Sequence, residues 1–331
     1  MSNNPSQVKE LALLQELVQD DMLRVNQRIL QSLENGVALI PQLASHLIAS
    51  GGKRLRPALT IASAKLCNYQ GERHIGLAVC VELIHTATLL HDDVVDESAL
   101  RRGEATANEI WGNKASVLVG DFLFSKTFQL MVSDGSLNVL KILSDASAVI
   151  AEGEVMQLGT ANNLSTTLEQ YIQVVESKTA TLFAAAFELG AVVAEQPEKE
   201  APLRQAGLSL GIAFQIMDDI LDYSAKQSTL GKTVGDDFRE GKITAPIIFA
   251  YQQSNESEKA FWHKTLEEQI IEENDLTTAM QIIKKYNAIT ASSQLAEKYC
   301  EQAVKSLGVF PDTREKQAIL ETIAFCQNRL Y

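Results

Sequence analysis

Residues 89–98 read LLHDDVVDES, and residues 216–224 read IMDDILDYS. Each stretch ends an apolar run with a DDxxD cluster. A helix C-terminus carries partial negative charge and favours cations, so carboxylates there are placed against the dipole. Asp92 and Asp96 are four residues apart and share a helix face, with Asp93 beside them; Asp218, Asp219 and Asp222 repeat that geometry. Like charges at this spacing cost an exposed helix about 0.2–0.5 kcal/mol per pair. A single cluster reads as well as an acidic surface tip. Two clusters that break the same local rule in the same way point to function.

The rest of the chain repeats the helical period. Val8, Leu11, Leu14, Leu17, Val18, Met22, Val25, Ile29 and Leu30 recur at steps of three and four over 7–32. The same period predicts helices over 75–97, 114–133, 137–158, 168–194, 201–223, 243–253, 257–273, 276–285, 289–306 and 313–329. No series of alternating strands is visible. The expected fold is all-α, with about ten or more helices. Length alone suggests about two domains, but only seven prolines and no Gly/Ser- or Pro-rich linker interrupt the 331 residues. One domain over 1–331 is therefore expected.

The net charge of −13 argues against nucleic acid as a partner. Cys67, Cys80, Cys300 and Cys326 show no CxxC pair and no metal-ligand spacing, which fits a reducing compartment, the cytoplasm. The start, MSNNPSQVKELALLQELVQDD, has no signal-peptide core, and no uninterrupted apolar run reaches the roughly 18 residues of a membrane span.

Oxygen-rich clusters suit a hard cation. Mg²⁺ keeps water and typically takes a few carboxylates plus substrate phosphates. Neither cluster has the glycine and distal glutamate of a calcium-binding EF-hand loop. Diphosphate needs cations too, and several basic stretches can supply them. GGKRLRP at 51–57 joins two glycines to Lys53, Arg54 and Arg56; arginine forks match phosphate oxygens. Arg101 and Arg102 follow the first cluster, where they can neutralise it or hold phosphate. Lys178 and Thr179 sit mid-helix, where a lysine is ordinarily solvated. LGKTVGDDFREGK brings Lys232 and Lys242 just after the second cluster without forming a P-loop. His85 lies two turns before Asp92 on the same face and reads as a core histidine; His91 reads as structural. No Ser-His-Asp, Cys-His or HExxH arrangement is present, so no protein nucleophile is evident.

In this order, GGKRLRP, DDVVD with Arg101-Arg102-Gly103, Lys178-Thr179, FQIMDDILD and GKTVGDDFREGK resemble the trans-polyprenyl diphosphate synthase family over about residues 20–330. The resemblance implies helices around a deep central cavity, a homodimer, and two to three Mg²⁺ per site. It implies condensation of an allylic diphosphate with isopentenyl diphosphate through an allylic carbocation. By motif position Asp92, Asp96 and Asp218 would bind Mg²⁺, and Asp93, Asp219 and Asp222 would support them. Arg101, Lys178, Thr179, Gln215, Lys232 and Lys242 would hold the allylic diphosphate. Lys53, Arg56, His85 and Arg102 would hold isopentenyl diphosphate.

Short-chain members of that family commonly carry an aromatic residue just before the first cluster. Here Ala87 and Thr88 stand five and four residues before Asp92. Small side chains leave room for a growing tail, so Phe124, Phe128 and Met131 become candidates for the tunnel floor. The expected product is a long-chain polyprenyl diphosphate, octaprenyl with nonaprenyl and heptaprenyl as alternatives, for a quinone side chain and handed to a membrane. A short-chain farnesyl or geranylgeranyl synthase and a non-catalytic subunit of a heteromer are the alternatives. A terpene cyclase fits less well, since it generally replaces the second aspartate cluster.

Overall fold

The computed structural model describes residues 11–34, 36–49, 52–101, 103–223 and 234–328. Helices account for nearly all of its regular structure. The first half holds α1 (Ala12–Leu33), α2 (Leu39–Ala49), α3 (Leu55–Leu66) and α4 (Arg73–Val95). A two-stranded hairpin, β1 (Leu100–Arg101) and β2 (Glu104–Ala105), leads to α5 (Ala107–Trp111), α6 (Asn113–Asp134) and α7 (Leu137–Thr160). The second half holds α8 (Leu168–Val175), α9 (Thr181–Val193), α10 (Pro197–Asp222), α11 (Asp236–Arg239), α12 (Ala245–Gln253), α13 (Glu256–Trp262), α14 (Asp275–Lys285), α15 (Ala288–Ser306) and α16 (Arg314–Gln327).

Four departures from the sequence expectation have local causes. Helices α2 and α3 form where periodicity predicts none. Their prolines, Pro41 and Pro57, fall in the first turn, where the missing N–H has no intrahelical partner to lose. The helix expected over 168–194 is divided by a wide π turn, Glu176–Ala180. The helix expected over 257–273 ends in a second π turn, His263–Glu267. The helix expected from 201 begins earlier, with Pro197 in its first turn.

The centre of the molecule is α9. Every residue from Leu182 to Val193 except Glu188 is buried, as expected for a helix apolar on all sides. It packs against α3, α7 and α10. Gly211 lets α10 close on the π turn, because a Cβ there would lie 2.5 Å from the Ala180 Cα. One apolar core runs from Leu11 in the first turn of the described chain to Cys326 in α16. A second, smaller core lies below the aspartate end of α4, between Val81 and Ile84 of α4, Met131 of α6, Leu143 and Ile150 of α7, and Leu182 and Leu189 of α9. Each such aliphatic side chain contributes roughly 1.5–3 kcal/mol on burial. By length and composition α4 and α6 would each span a bilayer, but two thirds of the α4 window is buried in this core.

Candidate active site

The last turns of α4 set the first aspartate cluster. Asp96 caps the helix, and Glu97 ends it in the left-handed region, with φ 49°. That reversal starts the β1–β2 hairpin, which turns Arg101 back over the helix. Arg101 Nε and Nη2 donate to Asp93 Oδ1 at 2.9 and 2.7 Å. Asp93 is fully buried, and its Oδ2 has no hydrogen-bond partner. Arg101 therefore serves the aspartate cluster directly while also lining the cleft.

Asp92 faces the cleft. Burial pushes its carboxyl up to about 7, with Glu154 and Asp96 adding to the shift and Lys178 opposing it. Lys178 reaches Asp92 only at 3.9 Å. Its ammonium donates instead to Glu154 Oε2 and Gln157 Oε1 of α7, both at 2.7 Å. The π turn makes this reach possible by offsetting Lys178 from a regular helical position. Gly153 completes the arrangement. A Cβ on it would lie 2.8 Å from the Lys178 backbone nitrogen and 2.8 Å from Ser177 Cβ. Gly153→Val is expected to push α7 off the π turn. Denaturant unfolding should show a loss of about 1–3 kcal/mol, and any elongating activity should fall with it. Unaltered stability would refute this close contact.

The second cluster divides its labour. Asp222 accepts from the backbone N–H groups of Asp236 and Asp237 at 3.2 and 3.1 Å, anchoring the first turn of α11. Asp219 accepts from Tyr171 Oη at 2.5 Å and from Gln215 Nε2 at 2.7 Å. Burial pushes the Asp219 carboxyl up to about 7 against the pull of these two donors. Thr179 Oγ1 donates to Gln215 Oε1 at 2.9 Å. Asp218 is half-buried beside them. Lys242 donates to Asp96 Oδ2 of the first cluster at 3.0 Å and pairs with Glu240. Burial alone would lower the lysine's pKa, but Asp96, Asp237 and Glu240 hold it well above its usual value.

These groups surround one cleft of about 190 Å³, lined by Asp92, Asp96, Arg101, Lys178, Thr179, Gln215, Asp219 and Lys242 among others. The remaining expected contacts form a neighbouring basic group. Arg56 Nη1 donates to His85 Nε2 at 3.1 Å, and its guanidinium lies 4.4 Å from the Phe183 ring centroid. Burial lowers the Arg56 pKa to about 10. Lys53 Nζ sits 4.1 Å over Phe325 of α16. Phe183 in turn packs on Phe214 at 5.5 Å, next to Gln215. His85 is therefore a polar partner of the basic motif and not a simple core residue. Arg102 and Lys232 lie outside the described residues.

The chain-length candidates separate. Ala87 is fully buried, and Thr88 Oγ1 donates back to His85 O at 2.8 Å. Phe124 packs on both cores, and Met131 is buried in the smaller one. Phe128 is 45% exposed and does not face that core within one chain. The inward stripe of α6 runs Gly120, Leu123, Thr127, Met131, and one residue past Thr127 is turned about 100° away. His91 Nε2 meets Val117 O at 3.2 Å and its ring packs on Phe124.

Sequence reasoning missed Glu154, Gln157 and Tyr171. Tyr171 stands in a helix without an acidic cluster or a Gly/Pro signal. Glu154 and Gln157 lie beside Gly153 and Gly159 and share a face at i, i+3, but carry no DDxxD spacing.

Among the described residues no three Asp, Glu, His or Cys side chains converge tightly enough to hold an ion alone. The donors present are carboxylate oxygens, and the charge of Asp92 is disfavoured by burial. That donor set suits a hard divalent cation whose remaining ligands come from water and phosphate.

A sequence profile of the polyprenyl synthetase family matches residues 37–283. The chain belongs to that family. It is 44% identical to octaprenyl diphosphate synthase of Escherichia coli K12, over 94% of this chain and 96% of that one. Among solved polyprenyl synthetases, a decaprenyl diphosphate synthase from Rhodobacter capsulatus superposes with a TM-score of 0.93 at 46% identity, covering 97% and 99% of the two chains. A polyprenyl synthase from Caulobacter crescentus CB15, complexed with calcium and isoprenyl diphosphate, superposes with a TM-score of 0.94 at 46% identity, covering 97% and 98%.

Proposed function

We propose that this polyprenyl synthetase is a Mg²⁺-dependent octaprenyl diphosphate synthase. It condenses an allylic primer, farnesyl diphosphate, with successive isopentenyl diphosphates. The observation that carries the reading is one cleft lined by Asp92 and Asp96 of α4, Asp219 of α10, Lys178 and Lys242, with Lys178 3.9 Å from Asp92 and Lys242 3.0 Å from Asp96. Nearly full-length similarity to an octaprenyl diphosphate synthase supports the product assignment.

In this reading Asp92, Asp96 and Asp218 hold two to three Mg²⁺. The metal supplies charge neutralisation of the departing diphosphate. Lys178, Lys242, Thr179, Gln215 and Arg101, with Lys232, bind that diphosphate and stabilise the charge it gains. Lys53, Arg56, His85 and Arg102 bind isopentenyl diphosphate. The apolar flank of α9 keeps water from the allylic cation. No side-chain base is assigned; the departing diphosphate takes the proton.

The chain acts as a single domain, which its continuous core supports. It works as a homodimer. Leu118, Phe128 and Val132 of α6 and Leu137, Val155 and Leu158 of α7 are exposed apolar residues, and a second copy would cover them. Its place is the cytoplasm, with the product passed to a membrane for quinone side-chain synthesis.

The test is incubation with farnesyl diphosphate, labelled isopentenyl diphosphate and Mg²⁺, followed by product sizing. An octaprenyl product that disappears with chelator is expected. No metal-dependent elongation overturns the reading, and a farnesyl- or geranylgeranyl-sized end product overturns the long-chain assignment.

A further inference from the structure

Both oxygens of Asp219 are already engaged. Oδ2 accepts from Tyr171 Oη at 2.5 Å, and Oδ1 accepts from Gln215 Nε2 at 2.7 Å. The second contact fixes the Gln215 amide: with Nε2 turned to Asp219, Oε1 faces Thr179 and accepts its hydroxyl at 2.9 Å. Tyr171 thus stands at one end of a continuous chain of hydrogen bonds, and Thr179 stands at the other.

The phenol is held firmly. Tyr171 is 5% exposed, and burial raises its pKa well above the usual phenol value, so it remains an O–H donor. The Ala245 backbone opposes this rise without reversing it. Its helix, α8, starts in a reciprocal cap in which Thr167 and Gln170 each satisfy the other's backbone N–H. Tyr171, Thr179, Gln215 and Asp219 all line the cleft.

We propose that Tyr171 is a positioning residue for the allylic diphosphate: by orienting Asp219 it sets the Gln215 amide, held on its other side by the Thr179 hydroxyl, so that the second Nε2–H of Gln215 is left for the cleft. The inference rests on the prenyl-transfer reading above. Without the phenolic O–H, Asp219 Oδ2 is a buried carboxylate oxygen that has lost its donor. The carboxylate is then free to turn, and the Gln215 amide with it. Tyr171 lies on a different helix from the basic group around Arg56 and His85, so the isopentenyl subsite should be untouched.

Steady-state kinetics of Tyr171→Phe test this. The KM for the allylic diphosphate should rise about tenfold, the usual size for a lost hydrogen bond to a charged group, with the isopentenyl KM unchanged. A double variant with Gln215→Ala should be no worse than Gln215→Ala alone, because the tyrosine acts through the glutamine. A purely structural tyrosine would reduce active protein and lower kcat without separating the two KM values. That outcome, equal rises in both, or multiplicative penalties in the double variant would overturn the proposal. Asp219→Asn is the second probe. It keeps the shape but turns an amide nitrogen toward one of the two donors, so the same allylic-specific rise is expected, and its absence would also overturn the proposal. Wild-type elongation is the separate control: its failure removes the prenyl-transfer reading, whereas normal wild-type elongation with an unchanged allylic KM in the variants removes only the role of Tyr171.

Discussion

Asp92→Asn is expected to lower kcat/KM for elongation by about 10²–10³-fold and to raise the melting temperature of the metal-free protein above neutral pH. The opposite signs have one cause. The Asp92 side chain is 15% exposed, and the charges of Glu154 and Asp96 oppose its own. Burial, the dominant influence, lifts its folded pKa to about 7 from the ordinary aspartate value of 3.8. The folded chain therefore binds this proton more tightly than the unfolded chain. Its contribution to stability is greatest below about pH 4 and declines as pH rises toward about 7. Above that pH the folded protein carries a poorly solvated carboxylate, and asparagine removes the burden while keeping the shape. Lys178 loses little, since its closer partners are Glu154 and Gln157 at 2.7 Å. The catalytic loss follows because an amide holds a divalent cation far less well than a carboxylate. Calorimetry in chelator on either side of neutrality, beside steady-state kinetics, checks both halves. A variant that is as active as wild type, or that melts lower at alkaline pH, would contradict this account of Asp92.

Ala87→Phe is expected to shorten the product by several prenyl units, read by sizing the labelled polyprenols. Ala87 is fully buried less than two turns before Asp92, between the cleft and the smaller apolar core of Val81, Ile84, Met131 and Leu182. A tail growing from a diphosphate at the aspartates has to pass this level of α4. A phenyl ring there would block the passage. It would also overpack the helix contact at a cost of about 1–3 kcal/mol, so a lower melting temperature should accompany the shorter product. An unchanged product distribution would refute a tunnel running past Ala87.

The same helix shows what periodic patterns convey. Alternation at three and four residues located α4, α6, α7 and α10, because amphipathicity is a local property of the chain. It also carried too far, running α8, the π turn and α9 together: an extra residue in one turn leaves the apolar spacing almost unaltered. It passed over α2 and α3, whose Pro41 and Pro57 stand in a first turn that tolerates proline. On α6 it grouped Phe128 with Phe124 and Met131. Their spacing alone does not distinguish an inward stripe from the residue next to it, and the neighbours of α6 made that choice.

Residue chemistry along the sequence alone determined the all-α class, the two aspartate clusters, the basic motif from Lys53 to Arg56 and the family resemblance, since each is a contiguous stretch with a physical signature of its own. Only the tertiary structure decided the division of labour within the site. It put Arg101 on Asp93, Lys178 on Glu154 and Gln157, and Lys242 on Asp96. It also gave Asp222 to the backbone at the start of α11 and Asp219 to Tyr171 and Gln215. Those pairings join side chains from different helices, and their geometry depends on how closely helices approach at Gly153 and Gly211. Close packing of that kind is a property of two surfaces in contact, and neither surface is written in the local pattern of the other.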